Sequence, residues 1–358
     1  MKALVVGGTG PTGPYILEGL TERGYEVTIY HRGLHEPDDL PEVAHHQHGD
    51  PFNLDTLKED FSRAKFDLVI SMYGRLRYVA SVLSGKTERF VGIGGSAAYI
   101  SPEYAKDSIA AQSLPIPMNH PTYENRDTNP FGYAVANSER RLMEMHEKGE
   151  FEASLIRYPT LYGPRTPRQW LWPIMRRYIE GRRKIIVPGD GSLIFPTGYS
   201  ENIAEIVLLV SDKPEAVGKI FNAVDSRTHT IKNFIKLVGK ILDYEWDIIE
   251  VSHPIGYLLA KGYAPEKSKM LDDTSLKTLL GYKDVVSVEE GIKRTIEWIL
   301  NNTDSFDQSI ESLLGNPYAY EVEDLVVKTL ANSNKELDPL FEKVQNQPAI
   351  EEFRGGQY

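Results

Sequence analysis

The chain has 358 residues, 41% of them hydrophobic and 25% charged, which suits a globular protein of one large or two moderate domains. It contains no cysteine, so disulfides, thiolate nucleophiles and thiolate metal sites are excluded. Its formal net charge of −11 weighs against a nucleic-acid partner, because neutralising phosphates takes a basic surface. No apolar run approaches the roughly 18–20 residues of a membrane span. The opening MKALVVGG enters a strand pattern directly instead of a leader, so the expectation is a cytoplasmic protein with no membrane partner.

Lys2–Val6 (KALVV) is a short apolar run that ends in glycines, as a buried parallel strand does. Gly7-Gly8-Thr9-Gly10-Pro11-Thr12-Gly13 follows it and opens a helix pattern carried by Tyr15, Ile16, Leu17 and Leu20, with Gly24 as the stop. Glycines 7, 10 and 13 let backbone N–H groups approach a pyrophosphate at a helix N-terminus, where side chains would block it. Glu26–Tyr30 is the second strand, and Tyr30-His31-Arg32-Gly33 at its end has no carboxylate to bind a ribose 2′-hydroxyl. Arginine there suits a 2′-phosphate, so the expected cofactor is NADP(H) in preference to NAD(H). His45, His46 and His48 precede Gly49-Asp50-Pro51, where the third strand should end; Asp50 and Pro51 then border the adenine. On a strand His46 and His48 share a face, with Asp50 as a third donor, but the cluster is read as an ordinary strand end with no metal.

Phe66–Ser71 and Arg89–Gly92 are further strands, separated by helix-length segments. A helix from Phe131 to His146 and a strand at Ala153–Arg157 complete an α/β alternation that implies a parallel doubly wound sheet. The first domain is expected over residues 1–164, with a strand near 199–226 returning to it. A smaller α/β domain covers 165–302, and 303–358 form a helical or mobile extension.

These pieces, in this order over about residues 1–302, resemble the extended short-chain dehydrogenase/reductase family, the group of NAD-dependent epimerase/dehydratase-like proteins. GGTGPTG resembles its glycine loop, RFVGIGGSAAY its strand end with the catalytic serine, and RYPTLYGP its segment beside the nicotinamide. The resemblance implies a Rossmann-type cofactor domain with a C-terminal substrate domain. It also implies Ser96 as a catalytic group and Met72, Tyr73, Pro159 and Thr160 as cofactor neighbours. In that family a tyrosine and a lysine one helical turn apart do the proton work.

NPFGYAVANSE, residues 129–139, admits two registers for that helix. Laid on Pro130 without gaps, Gly132 and Glu139 match, but Phe131 stands at the tyrosine position and Val135 at the lysine position. The other register takes Tyr133 as the tyrosine, and Asn137 then replaces the lysine. Residues two apart on a helix are turned by about 200°, so Phe131 and Tyr133 cannot share a pocket. The apolar stripe of Phe131, Ala134, Val135, Leu142 and Met145 puts Phe131 inward and favours the first register. Tyr73, Tyr99 and Tyr162 are substitute proton donors in segments that the resemblance places near the cofactor.

Arg168–Trp172 and the basic Arg176, Arg177, Arg182 and Arg183 follow. These arginines read as a solvated helix face, or as a site for a substrate phosphate or carboxylate. Trp170 and Trp172 either wall the substrate or belong to the core. The leading expectation is an NADP(H)-dependent oxidoreductase of a small organic substrate with a non-standard acid/base site, and a homodimer is an open possibility. The alternatives are a catalytically silent dinucleotide-binding sensor, scaffold or RNA-associated protein, and thirdly a nucleotide-sugar epimerase or dehydratase.

Overall fold

The computed structural model describes residues 1–34, 40–41, 44–72, 76–101, 104, 114–167, 169–306 and 319–345. Strands β1 (Lys2–Val6), β2 (Glu26–His31), β3 (Ala44–His48), β4 (Phe66–Met72), β5 (Thr87–Gly95), β6 (Glu152–Tyr158) and, after three short strands, β10 (Ile220–Asn222) form one sheet. Its order is β10-β6-β5-β4-β1-β2-β3, and its pairings are parallel. β10 is thus an edge strand of the central sheet, beside β6.

Alternation along β1 explains the layers. Ala3 and Val5 pack on one face with Ile16, Leu17 and Leu20 of α1 (Gly13–Glu22) and Ile203 and Val207 of α6 (Ser200–Asp212). Leu4 and Val6 pack on the other with Val79 and Leu83 of α3 (Leu76–Leu83) and Leu142 and Met145 of α4 (Pro130–Glu147). A strand buried on both faces reads as an unbroken apolar run, as KALVV does. Helix starts follow local chemistry. Asn53 caps α2 (Leu54–Asp60) by accepting the N–H groups of Asp55 and Thr56, and Asn129 caps α4 by accepting that of Gly132 at 2.8 Å.

A second core gathers residues from the C-terminal half. Trp170 and Trp172 lie in it with Ile174 of α5 (Trp172–Ile179), Ile185 of β8 (Lys184–Pro188), Phe234 of α7 (Ile231–Leu242) and Ile292 of α10 (Val288–Asn301). Both tryptophans are therefore core residues and do not wall a substrate. Trp172 stacks on Phe306 at 4.3 Å. The small sheets here pair β8 with β11 (Asp247–Val251), and β7 (Thr160–Tyr162) with β9 (Thr197–Tyr199).

Asp225 ties the two halves. It accepts hydrogen bonds from Tyr199 N–H at 3.0 Å and from Asn202 Nδ2 at 3.3 Å. Burial pushes its carboxyl from 3.8 up to about 6. The folded state holds this proton more tightly than the unfolded chain, so stability falls as pH rises from about 4 to 6. Asp225→Asn removes that loss. The variant should gain on the wild type by about 3 kcal/mol between pH 4 and pH 7, read from paired urea unfolding curves. A gain that is the same at both pH values would show that Asp225 does not titrate there.

In the C-terminal extension, after α8 (His253–Ala260) and α9 (Thr274–Leu280), helix α11 (Tyr320–Gln345) docks on the second core. Val326 and Leu330 pack on Ile186, Val251 and Leu259. Glu323 is 1% exposed, in contact with the fully buried Arg177 and with Arg182 Nη2 at 2.8 Å. Asp324 pairs with Lys184 at 3.0 Å and with Arg182 at 3.3 Å. Neither sequence reading of Arg177 and Arg182 survives, since both hold the chain's own carboxylate and not solvent or substrate. Among the described residues no helix is long and apolar enough to cross a membrane.

Candidate active site

The strand order switches direction between β1 and β4, the place where parallel sheets open a crevice beyond their strand ends. A cleft of about 650 Å³ lies there. Its floor is the loop Gly7–Thr12, with Met72 at the end of β4 and Ile93 in β5. Pro159, Thr160, Tyr158 and Thr166 line the other side. Gly7, Thr9, Gly10, Pro11 and Thr12, together with Met72, Pro159 and Thr160, thereby line one cavity, while Gly13 does not. Tyr73 and Arg168 lie outside the described residues.

The loop's glycines differ in what they do. Gly7 and Gly8 have φ of 104° and 76°, a region L side chains rarely adopt. A Cβ on Gly13 would fall 1.6 Å from Gly8 O, so α1 can back onto the loop only without a side chain there. A Cβ on Gly10 would meet nothing within 4 Å. Gly10 is thus dispensable for the loop's own packing, and its bareness leaves open space in a cleft. Tyr158 OH donates to Thr12 Oγ1 at 3.4 Å and pins the helix start from β6. These residues fit a dinucleotide: backbone and small hydroxyls at a helix N-terminus, beneath a roomy cleft.

A smaller hollow of about 90 Å³ adjoins it, lined by Gly7, Thr9, His31, Arg32, Gly33 and Pro51. Arg32 is exposed, its guanidinium 5.7 Å from the Phe52 ring centroid. Asp50 lines neither space; its carboxylate accepts Phe52 N–H at 3.0 Å and it is exposed.

His31, His46 and His48 bring one nitrogen each within 4.8 Å of one another. The sequence alone could pair His46 with His48, but His31 comes from the neighbouring strand. Gly33 N–H donates to His31 Nδ1 at 3.1 Å, which makes Nε2 the protonated nitrogen facing His46 Nδ1 at 3.2 Å. A metal on Nε2 would need the other tautomer and would set two N–H groups against each other at Gly33. The geometry therefore favours a hydrogen-bonded histidine pair.

Helix α4 settles where each register's aromatic goes. Its buried face is Gly132, Val135, Ala136, Ser138, Glu139, Leu142 and Met145. Phe131 is not inward as its helical phase implied. It is 58% exposed and lies on the cleft wall. Val135 is buried against Ala98 and Ala136. Tyr133 is half-buried, with the Arg140 guanidinium 6.0 Å from its ring centroid, and it is not on the cleft wall. Of the substitute donors, Tyr162 is fully buried, and burial first, then Asp225, pushes its hydroxyl well up. Tyr99 is buried, donates to Asn222 Oδ1, and is also pushed up by burial.

Ser96 begins the 3₁₀ turn that follows β5 and is half-buried. Glu139 fixes this strand end. Its Oε1 accepts Gly95 N–H at 3.1 Å and its Oε2 accepts Arg157 Nε at 2.8 Å, in space that a side chain on Gly94 would fill. From far along the chain, Lys269 Nζ donates to Ser96 O. Sequence reasoning missed Lys269, and no local pattern could have found it.

Residues 79–223 match the NAD dependent epimerase/dehydratase family model. A curated relative, protein y4nL of Sinorhizobium fredii, is 26% identical over 55% of this chain, which spans 64% of that relative's length. Among solved structures, UDP-glucose 4-epimerase of Thermotoga maritima superposes with a TM-score of 0.67 at 20% identity, covering 85% of this chain and 100% of that one. UDP-glucuronic acid 4-epimerase of Bacillus cereus, complexed with UDP-glucuronic acid and NAD, gives 0.66 at 17% identity, covering 84% and 99%. Residues 79–223 thus resemble the NAD dependent epimerase/dehydratase family, and the chain shares the Rossmann-type fold of these two epimerases.

Proposed function

We propose that this chain is an enzyme that binds a nicotinamide dinucleotide along the Gly7–Gly13 loop and acts on a small organic substrate, with nucleotide sugars as the favoured class. The observation that carries this reading is the open space above Gly10 in a cleft at the switch point of the sheet. The family match and the nucleotide-sugar complexes of the structural neighbours support the substrate class. Bound there, the dinucleotide supplies reversible hydride exchange. The loop holds its pyrophosphate, and Pro159 and Thr160 border its nicotinamide. Arg32 at the end of β2 supports NADP(H), while the Bacillus cereus neighbour carries NAD. Ser96 is proposed to polarise the reacting oxygen. Tyr133 remains the acid candidate in the second register, where turnover would require it to swing toward the cleft.

A second reading rests on Phe131 and Val135. With phenylalanine on the cleft wall and valine in the core, α4 offers neither a proton nor a cation in that register. A dinucleotide-binding sensor or scaffold without turnover has this arrangement. The acidic balance of the chain weighs against an RNA partner.

Titrating the protein with NADPH and NADH, and then offering carbonyl substrates, separates the readings. Loss of reduced-nicotinamide absorbance, or conversion of a nucleotide sugar by the protein loaded with oxidised cofactor, supports the enzyme, and binding with neither supports the sensor. No uptake of either nucleotide sinks both. Gly10→Ala is expected to leave the unfolding midpoint unchanged while weakening nucleotide binding by about tenfold or more, because its methyl group enters the cleft and touches no protein atom. Unchanged affinity would move the cofactor away from this loop.

A further inference from the structure

Lys269 lies on a segment threaded between two others. Its N–H donates to Ile194 O at 2.9 Å, and Ile116 N–H donates to Met270 O at 2.7 Å. This threading delivers the ammonium to the end of β5. There it donates to Ser96 O and lies 5.7 Å from the Tyr99 ring centroid. The Arg157 guanidinium lies 4.4 Å from the centroid of the same ring. Arg157 is already engaged, by Glu139 at 2.8 Å and by Met118 O at 2.9 Å. Lys269 has no carboxylate partner among the described residues.

Lys269, Arg157 and Arg140 gather around one carboxylate, Glu139, and leave this group with positive charge in excess. A largely desolvated ammonium with spare donors is costly unless an anion completes it. Burial first, and Arg157 second, lower its pKa to about 8, so it is mostly protonated at neutral pH. Helix α4 brings no lysine to Ser96, because Val135 occupies the lysine position of the gapless register, and its Arg140 is held by Tyr123 O.

We propose that Lys269, steadied by the carbonyl of Ser96, forms a subsite that receives a carboxylate carried at the reacting end of the substrate. This rests on the dinucleotide reading, in which Ser96 stands beside the reacting oxygen. The subsite makes the enzyme selective for acidic sugars over neutral ones. Lys269 takes no proton in this role. It orients the substrate by pairing with a group that does not react.

The test is calorimetric titration of the full chain, saturated with NADPH, using UDP-glucuronic acid and UDP-glucose, which differ by a carboxylate against a hydroxymethyl group. The wild type should bind the acid tighter by about tenfold or more. Lys269→Met should erase that preference while leaving NADPH affinity within about twofold, and Lys269→Arg should retain most of it. Equal affinity of the wild type for the two sugars, weak or strong, overturns the proposal, as does a preference that survives Lys269→Met. Failure to take up NADPH at all would instead strike at the cofactor reading.

Discussion

Glu323→Ala is expected to destabilise the protein by about 3–5 kcal/mol, the cost of leaving a buried arginine without its counter-charge. Arg177 is fully buried and also sits between the rings of Tyr263 and Tyr320, at 5.1 and 5.2 Å from their centroids, with no route to water while α11 is docked. The loss should appear in urea unfolding and, sooner, as trypsin cleavage within the released helix. Asp324→Ala is the control. That carboxylate is about half exposed, and exposed pairs contribute about 0–1 kcal/mol. If the two variants lose the same amount, the Glu323 carboxylate is not the anchor of the helix.

Glu139→Ala should cost a similar amount, about 3–5 kcal/mol, by stranding the buried Arg157 of β6. It also frees Gly95 N–H, the residue before Ser96, so the serine's placement should loosen with it. The companion variant Glu139→Ala with Arg157→Met removes the stranded charge and should recover more than half of the loss. Guanidinium unfolding of the three proteins reads this directly. A double variant no more stable than the single one would mean that the pair acts through hydrogen bonds to the backbone and not through its charges.

The start of the central sheet was legible because its signals are local. A both-sides-buried strand, a glycine loop and a helix with no room for a Cβ at Gly13 are all encoded within thirteen residues. Helix α4 was legible only in part. Helical phase put Phe131 and Val135 on one stripe, but phase cannot say what lies beyond the first turn. Pro130 begins the helix at the rim of the cleft, so Phe131 projects past the sheet while Val135, a turn later, is packed. Hydrophobic periodicity also overlooked that the buried face carries Ser138 and Glu139, polar residues satisfied by Ala134 O, Gly95 and Arg157. The basic stretch after Trp172 was illegible for a different reason. Its counter-charge lies 146 residues away, and Lys269 lies 173 residues from Ser96. Pairings of that span are set by topology, on which a single sequence is silent.

Strand β3 closes one side of the central sheet, and its sequence is AHHQH. A terminal strand is a template for unwanted pairing with another chain, most of all when it is flat and rich in branched aliphatics. Here the exposed side chains are imidazoles, with His45, His46 and His48 all turned to water. His46 and His48 face His31, and the composition that allows this also makes the strand a poor seed for aggregation. Redesign of this corner toward valine and isoleucine, for tighter packing or altered nucleotide choice, would trade away colloidal behaviour that the histidines provide.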